Sequence, residues 1–260
     1  MVRLWWKIDT METNIPLETF NGILLFIGAT LSFIVIRRVL YVDLLRLLAA
    51  ITKNTLTAHK IHFSLVFLGV LLHECSHFIA LRLMGVPCRL NLGVEMQNDF
   101  VVYGHVDFYE SDVNSVQHFI SGIAPLITGL TTISLIAVNF MGVPSIRSII
   151  ESNGNLDFSP ILAEAGNWWF WLAFYFVFAI ASEMIPSPAD RRYWMHLGII
   201  LVVLFTISLL TQTTGWFFAN MYPYVDGVFK MVGITFLICL AIELVLFVPL
   251  RFITWLRARK

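Results

Sequence analysis

The chemistry of this chain is concentrated in one short segment, His73-Glu74-Cys75-Ser76-His77. The segment has the H-E-x-x-H pattern. Side chains four residues apart on a helix lie on the same face, so the imidazoles of His73 and His77 can bind one Zn²⁺ ion at about 2.0–2.1 Å. Glu74 lies beside that face and can accept a proton from a water molecule that the metal activates. The pattern predicts zinc-dependent hydrolysis, with two histidine ligands and Glu74 as the general base.

A catalytic zinc ion usually has three protein ligands and a further position open to water, so a third ligand is needed. The acidic candidates near the predicted membrane segments are Asp190, Asp226, Glu183, Glu164 and Glu243. Asp190 follows the fourth predicted helix, on the same membrane side as the histidines, and Pro186 and Pro188 would end that helix and turn the backbone back. We therefore predict Asp190 as the third ligand, with Glu243 and Glu183 as alternatives.

The elements that carry these residues have the composition of a membrane protein. Of the 260 residues, 58% are hydrophobic and 13% are charged, whereas soluble domains have about 25% charged residues. The 17 basic and 17 acidic side chains cancel, so no nucleic-acid partner is indicated. The composition excludes a soluble enzyme and predicts a single integral membrane domain over residues 1–260 in a lipid bilayer.

Apolar segments long enough to cross a bilayer recur along the chain. We predict an all-α polytopic membrane protein with about six transmembrane helices, at 20–36, 61–84, 118–140, 161–184, 194–210 and 231–252. Of the 17 Lys and Arg residues, ten flank these helices on the side of the termini and seven on the other side. This bias predicts a cell-membrane protein with both termini in the cytoplasm.

A segment of different character separates the second and third predicted helices. The residues from Arg89 to Phe108 alternate apolar and polar side chains, with Asn98 and Asp99 at a central turn. This pattern predicts a small membrane-associated β-hairpin. A peptide must be extended to be cleaved, because a helix holds its carbonyl groups in hydrogen bonds, and an edge strand can bind a peptide in that form. We therefore expect the hairpin to bind the substrate.

The segment from His73 to His77 resembles the first motif of the site-2 protease family, which consists of intramembrane zinc metalloproteases. Arg82 and the pair Gly85-Val86 follow it at the spacing of that family.

The second motif of the family, Asn-x-x-Pro-x-x-x-x-Asp-Gly, has its counterpart around Asp190. Ser182 is at the Asn position, Pro186 is one residue from the Pro position, and Arg191 replaces the Gly. The Gly-Pro segment at 121–126 resembles a third family motif. The resemblance covers residues 61–192, which form the expected catalytic core.

The resemblance implies a zinc metalloendopeptidase with one Zn²⁺ per chain, bound by His73, His77 and Asp190. Its substrates would be transmembrane proteins, cleaved in or near their membrane segments in regulated intramembrane proteolysis. Two other functions are compatible with the residues. One is a membrane metal transporter or channel lined by the same cluster. The other is a polytopic zinc peptidase that acts on soluble tails, with Glu183 or Glu243 completing its site.

Overall fold

The computed structural model describes residues 21–97, 100–151, 157, 159–192 and 194–258. The described residues are mostly helical and include one two-stranded antiparallel sheet. The elements are α1 (Asn21–Thr52), α2 (Thr55–Leu83), β1 (Cys88–Gln97), β2 (Phe100–Phe108), α3 (Ser115–Phe140), α4 (Ile146–Glu151), α5 (Ser159–Glu164), α6 (Trp168–Glu183), α7 (Trp194–Leu210), α8 (Thr214–Asn220) and α9 (Tyr222–Ala258).

Four of these helices, α1, α2, α3 and α9, are long and apolar enough to cross a membrane. The helices α7 and α8 meet the same criterion only as a pair that is bent by 115°, and α6 is apolar but has 16 residues. The fold is therefore that of a membrane protein with four such helices, or five if the bent pair is one span. The predicted count of six is not confirmed. The first residue of the first predicted span and both termini lie outside the described residues.

Helix α1 continues well beyond residue 36, where the first predicted span ends. Several of the charged residues that follow have partners on other helices or one turn away. Arg37 lies 3.6 Å from the Glu183 carboxylate. The buried Asp43 carboxylate is 2.9 Å from the Arg251 guanidinium and 3.8 Å from that of Arg46. A charge with a partner can remain within a largely apolar helix pair.

Helix α2 packs between α3 and α6, while α1 packs along α9. A Cβ atom at Gly69 of α2 would collide with the Ala179 carbonyl of α6, so the absence of a side chain lets the two backbones approach. The start of α9 holds the start of α1, since Asp226 accepts a hydrogen bond from the Gly22 amide at 2.8 Å. Asp226 therefore makes a structural contact. The face of α2 that carries His73 and His77 lies between α3 and the end of α6.

The predicted hairpin is present as strands β1 and β2, paired from Cys88 with Phe108 to Gln97 with Phe100. The turn residues 98–99 lie outside the described part of the chain. Tyr103 fastens β2 to α2, because its hydroxyl lies 3.0 Å from His59 Nδ1 and its ring stacks on that of His62. Strand β2 is thus fixed across the face of α2 that carries the motif.

Candidate metal centre

The two motif histidines lie on one face of α2, as their spacing predicts. The Nε2 atoms of His73 and His77 are 3.0 Å apart. His73 is ten residues before Leu83, the last residue of the helix, which places it about 15 Å from that end at about 1.5 Å per residue. The histidine pair is therefore within a helix long enough to cross a membrane.

The His73 ring is oriented by the end of α6. Its Nδ1 atom lies 2.5 Å from the backbone oxygen of Glu183, the last residue of that helix. The last four carbonyl groups of a helix have no partner within it, and the Pro186 that follows cannot continue it. The free end of α6 thus supplies an acceptor for His73.

The His77 ring is oriented by a carbonyl group in the interior of α3. His77 Nδ1 lies 2.9 Å from the backbone oxygen of Ser121. In a helix this oxygen would accept a hydrogen bond from the amide of residue 125, but that residue is Pro125 and has no N–H group. The proline therefore leaves the Ser121 oxygen available, and His77 uses it.

These two contacts determine the histidine tautomers. A backbone carbonyl only accepts hydrogen bonds, so each Nδ1 atom carries the proton. In a neutral imidazole the other nitrogen then presents a lone pair, and the lone pairs of His73 and His77 meet at 3.0 Å. Two lone pairs at this distance repel each other unless a cation lies between them. A metal ion or a proton between the two nitrogens would remove this repulsion, so the pair could serve as metal ligands.

Asp190 completes the group from the segment after α6. Its carboxylate oxygens lie 3.8 Å from His73 Nε2 and 3.3 Å from His77 Nε2. Ser187 orients the side chain, since its backbone amide donates to the same carboxylate at 2.7 Å. A Cβ atom at Gly122 of α3 would collide with the Asp190 backbone oxygen. The absence of a side chain at Gly122 therefore leaves room for the segment that carries Asp190.

The electrostatic environment favours the ionised form of Asp190. Burial by itself would raise the pKa of this carboxyl group, but the contacts with His73 and His77 and the hydrogen bond from Ser187 outweigh burial and lower the pKa. Asp190 is therefore a carboxylate, the form that binds a metal.

The dimensions of the group fit a metal ion. Ligand atoms at about 2.0–2.1 Å from a tetrahedral Zn²⁺ ion are about 3.3 Å apart, and the three separations here are 3.0, 3.3 and 3.8 Å. Three protein ligands with both histidine Nδ1 atoms held by carbonyl groups match the arrangement of a catalytic metal site. His73, His77 and Asp190 could therefore hold a divalent metal ion.

Comparisons with protein-family models, curated proteins and solved structures found no match. The resemblance to site-2 proteases therefore rests on the motif residues, and function must be argued from the site itself.

We call His73, His77 and Asp190 the metal group. Glu74 lies between this group and strand β2 of the hairpin. Its side chain is largely buried, and a Cβ atom added to Gly104 of β2 would be 2.8 Å from Glu74 Cγ. Two cavities of about 460 and 490 Å³ share His73, Glu74 and Gly104 among their lining residues. Glu74 is thus placed where a ligand in either cavity can contact it.

The structure brings together His73, His77 and Asp190, with Glu74 alongside, and the group found among the described residues does not include Glu183 or Glu243. Glu183 contributes its backbone oxygen, while its carboxylate faces Arg37. Glu243 is fully buried in α9, and neither of its carboxylate oxygens has a hydrogen-bond partner among the described residues.

Sequence reasoning missed the residues that support the site. The role of Ser121 had a local signal, a proline four residues later in a helix, which frees one carbonyl group. Gly104 had no such signal, because its contact with Glu74 depends on how the hairpin lies across α2.

Proposed function

We propose that this protein is an intramembrane zinc metalloendopeptidase of the site-2 protease type, with one Zn²⁺ ion bound by His73, His77 and Asp190. The observation that carries the proposal is the convergence of two Nε2 lone pairs and one carboxylate, with Glu74 next to them and unused by any hydrogen bond among the described residues. A purely structural polar cluster has no need of a free carboxylate at this position.

The reaction follows from the residues around the metal group. His73, His77 and Asp190 would hold a zinc ion, which would supply Lewis-acid chemistry that activates water and polarises a carbonyl group. Glu74 takes the proton of the attacking water and passes it to the leaving amine. Strand β2 lines both cavities beside Glu74, so an extended substrate can lie along it in the manner of an added strand.

The membrane setting supports a substrate that is itself a membrane protein. The residues of the metal group come from α2 and from the segment after α6, and α3 supports His77 through Ser121. Both α2 and α3 are long enough to span a bilayer. The proposal includes six spans, with α6 and α7 added to the four long helices, and cytoplasmic termini in the cell membrane. Regulated cleavage in or near a transmembrane segment is the activity that this arrangement suits.

The decisive experiment removes only the proton acceptor. Glu74→Gln should keep bound zinc but lose cleavage of a transmembrane model substrate, because the amide cannot accept the proton. Glu243→Gln is the matched control, since it makes the same change in a buried side chain outside the metal group, and it should keep both properties. Undiminished cleavage by Glu74→Gln would overturn the proposed mechanism. Zinc transport into vesicles by a protein that cleaves no substrate would favour a transporter.

Metal analysis tests the ligand set separately. Asp190→Ala should lose most of its zinc, whereas Glu183→Ala should retain it, because only the backbone of Glu183 contacts His73. Glu243→Ala should also retain zinc. Loss of zinc from Glu243→Ala, with retention by Asp190→Ala, would show that Glu243 and not Asp190 is the third ligand.

A further inference from the structure

One of the two cavities beside Glu74 is lined by two arginines. This cavity, of about 490 Å³, lies between α1, α2, β2 and the end of α6, and its lining includes Arg37, Arg38 and Glu183. We call it the arginine cavity. It shares His73 and Glu74 with the second cavity, so a peptide bound with its scissile bond at Glu74 would extend a neighbouring residue into it.

The two guanidinium groups have unused hydrogen-bonding capacity. Arg37 lies 3.6 Å from the Glu183 carboxylate, which is longer than the usual hydrogen-bond distance of about 2.7–3.2 Å. Neither Arg37 nor Arg38 donates a hydrogen bond to another described residue, although a guanidinium group has about five N–H donors. Both arginines line a cavity large enough to admit a side chain, Arg37 as a half-buried residue and Arg38 as an exposed one.

The arginine cavity is lined by two arginines and by the carboxylates of Glu74 and Glu183. Glu183 offsets Arg37, and a divalent cation held by His73, His77 and Asp190 would balance Asp190 and the neighbouring Glu74. With that cation bound, one positive charge would remain, at Arg38, which has no ion pair among the described residues.

The second cavity has no comparable surplus of charge. Its lining includes both Arg192 and Glu110, which form an ion pair at 3.3 Å. Of these two cavities, the arginine cavity is therefore the one that would favour an anion.

We propose that the arginine cavity binds a carboxylate carried by the substrate peptide, and that Arg37 and Arg38 determine this specificity. The proposal rests on the peptidase function proposed above. Planar guanidinium groups bind carboxylates through paired, charge-assisted hydrogen bonds. The carboxylate is either an Asp or Glu side chain near the scissile bond or the carboxyl terminus of the peptide.

The test compares transmembrane model peptides that differ by one Glu→Gln change near the cleavage site. Wild type should cleave the Glu peptide with a kcat/KM about tenfold to a hundredfold higher, the range expected for hydrogen bonds to a charged group. Arg38→Gln should abolish this preference, because kcat/KM for the Glu peptide should fall to about that for the Gln peptide. Arg38→Glu should favour a Lys peptide instead. Arg46→Gln, on the same helix but outside the arginine cavity, is the matched control and should keep the wild-type preference.

Two further measurements identify the source of the carboxylate and distinguish a failure of this proposal from a failure of the proposed peptidase function. Free and amidated carboxyl termini distinguish a terminal carboxylate from a side chain. Binding of the Glu and Gln peptides to cleavage-deficient Glu74→Gln tests the cavity without catalysis, so this inference stands or fails even if wild type cleaves neither peptide. Equal rates and equal affinities for the two peptides would overturn it. It would also be overturned if Arg38→Gln changed activity only in vesicles containing phosphatidylglycerol, since the arginines would then bind lipid headgroups.

Discussion

Replacing Gly104 with alanine tests how strand β2 positions Glu74, the proposed general base. The added Cβ atom would lie 2.8 Å from Glu74 Cγ and 3.3 Å from Glu74 Cδ. The backbone oxygen of Asn91 is 3.3 Å away on the neighbouring strand, and Tyr103 holds β2 against α2 through its contact with His59. The strand therefore has little freedom to withdraw, and Glu74 must move.

The size of this movement follows from van der Waals distances. Carbon atoms in good contact are about 3.5–4.0 Å apart, so Glu74 Cγ must shift by about 0.7–1.2 Å from its separation of 2.8 Å. A misplacement of about 1 Å in a catalytic arrangement costs about 10²-fold in rate, or about 2.7 kcal/mol of transition-state stabilisation. We expect Gly104→Ala to lower kcat/KM by about this factor.

The assay measures both cleavage of a transmembrane substrate and zinc content of the purified protein. Zinc should be unchanged, because the atoms nearest the added methyl group belong to Glu74 and Asn91 and not to the ligands. Gly28→Ala in α1 is the control, since a Cβ atom there meets no atom within 4 Å, and its activity should equal that of wild type. Full activity of Gly104→Ala, or loss of its zinc, would refute the reasoning.

Two other predictions concern the support of the metal group and the packing of α1 against α9. Pro125→Ala restores an N–H group that competes for the carbonyl oxygen used by His77, so zinc affinity should fall about 10- to 100-fold, as for other changes behind a metal ligand. Pro249→Ala, in α9, should leave zinc affinity unchanged, and equal affinities for the two variants would contradict the prediction. Arg251→Met should lower thermal stability more than Asp43→Asn, because it leaves the buried carboxylate with only a distant partner. The opposite order in thermal unfolding would show that this pair does not stabilise the fold.

Much of the architecture could be predicted from local patterns in the sequence. Long apolar segments identified the helices, and alternating side chains identified the hairpin, because each pattern follows from the periodicity of a single element. The ends of helices were harder to predict. Helix α1 continues past Arg37, whose guanidinium lies 3.6 Å from the Glu183 carboxylate on another helix. A contact of this kind depends on packing and leaves no trace in the neighbouring sequence.

The sequence by itself determined that His73 and His77 share a face and that Glu74 lies beside it, since the rotation of about 100° per residue in an α-helix requires this arrangement. The tertiary structure decided which groups surround them. The carbonyl oxygens of Glu183 and Ser121 contact the two rings across separations of 110 and 44 residues, and Asp190 reaches them only because Gly122 leaves room for its backbone. Helix geometry spans a few residues and can be read locally, whereas contacts between helices depend on how their surfaces fit together.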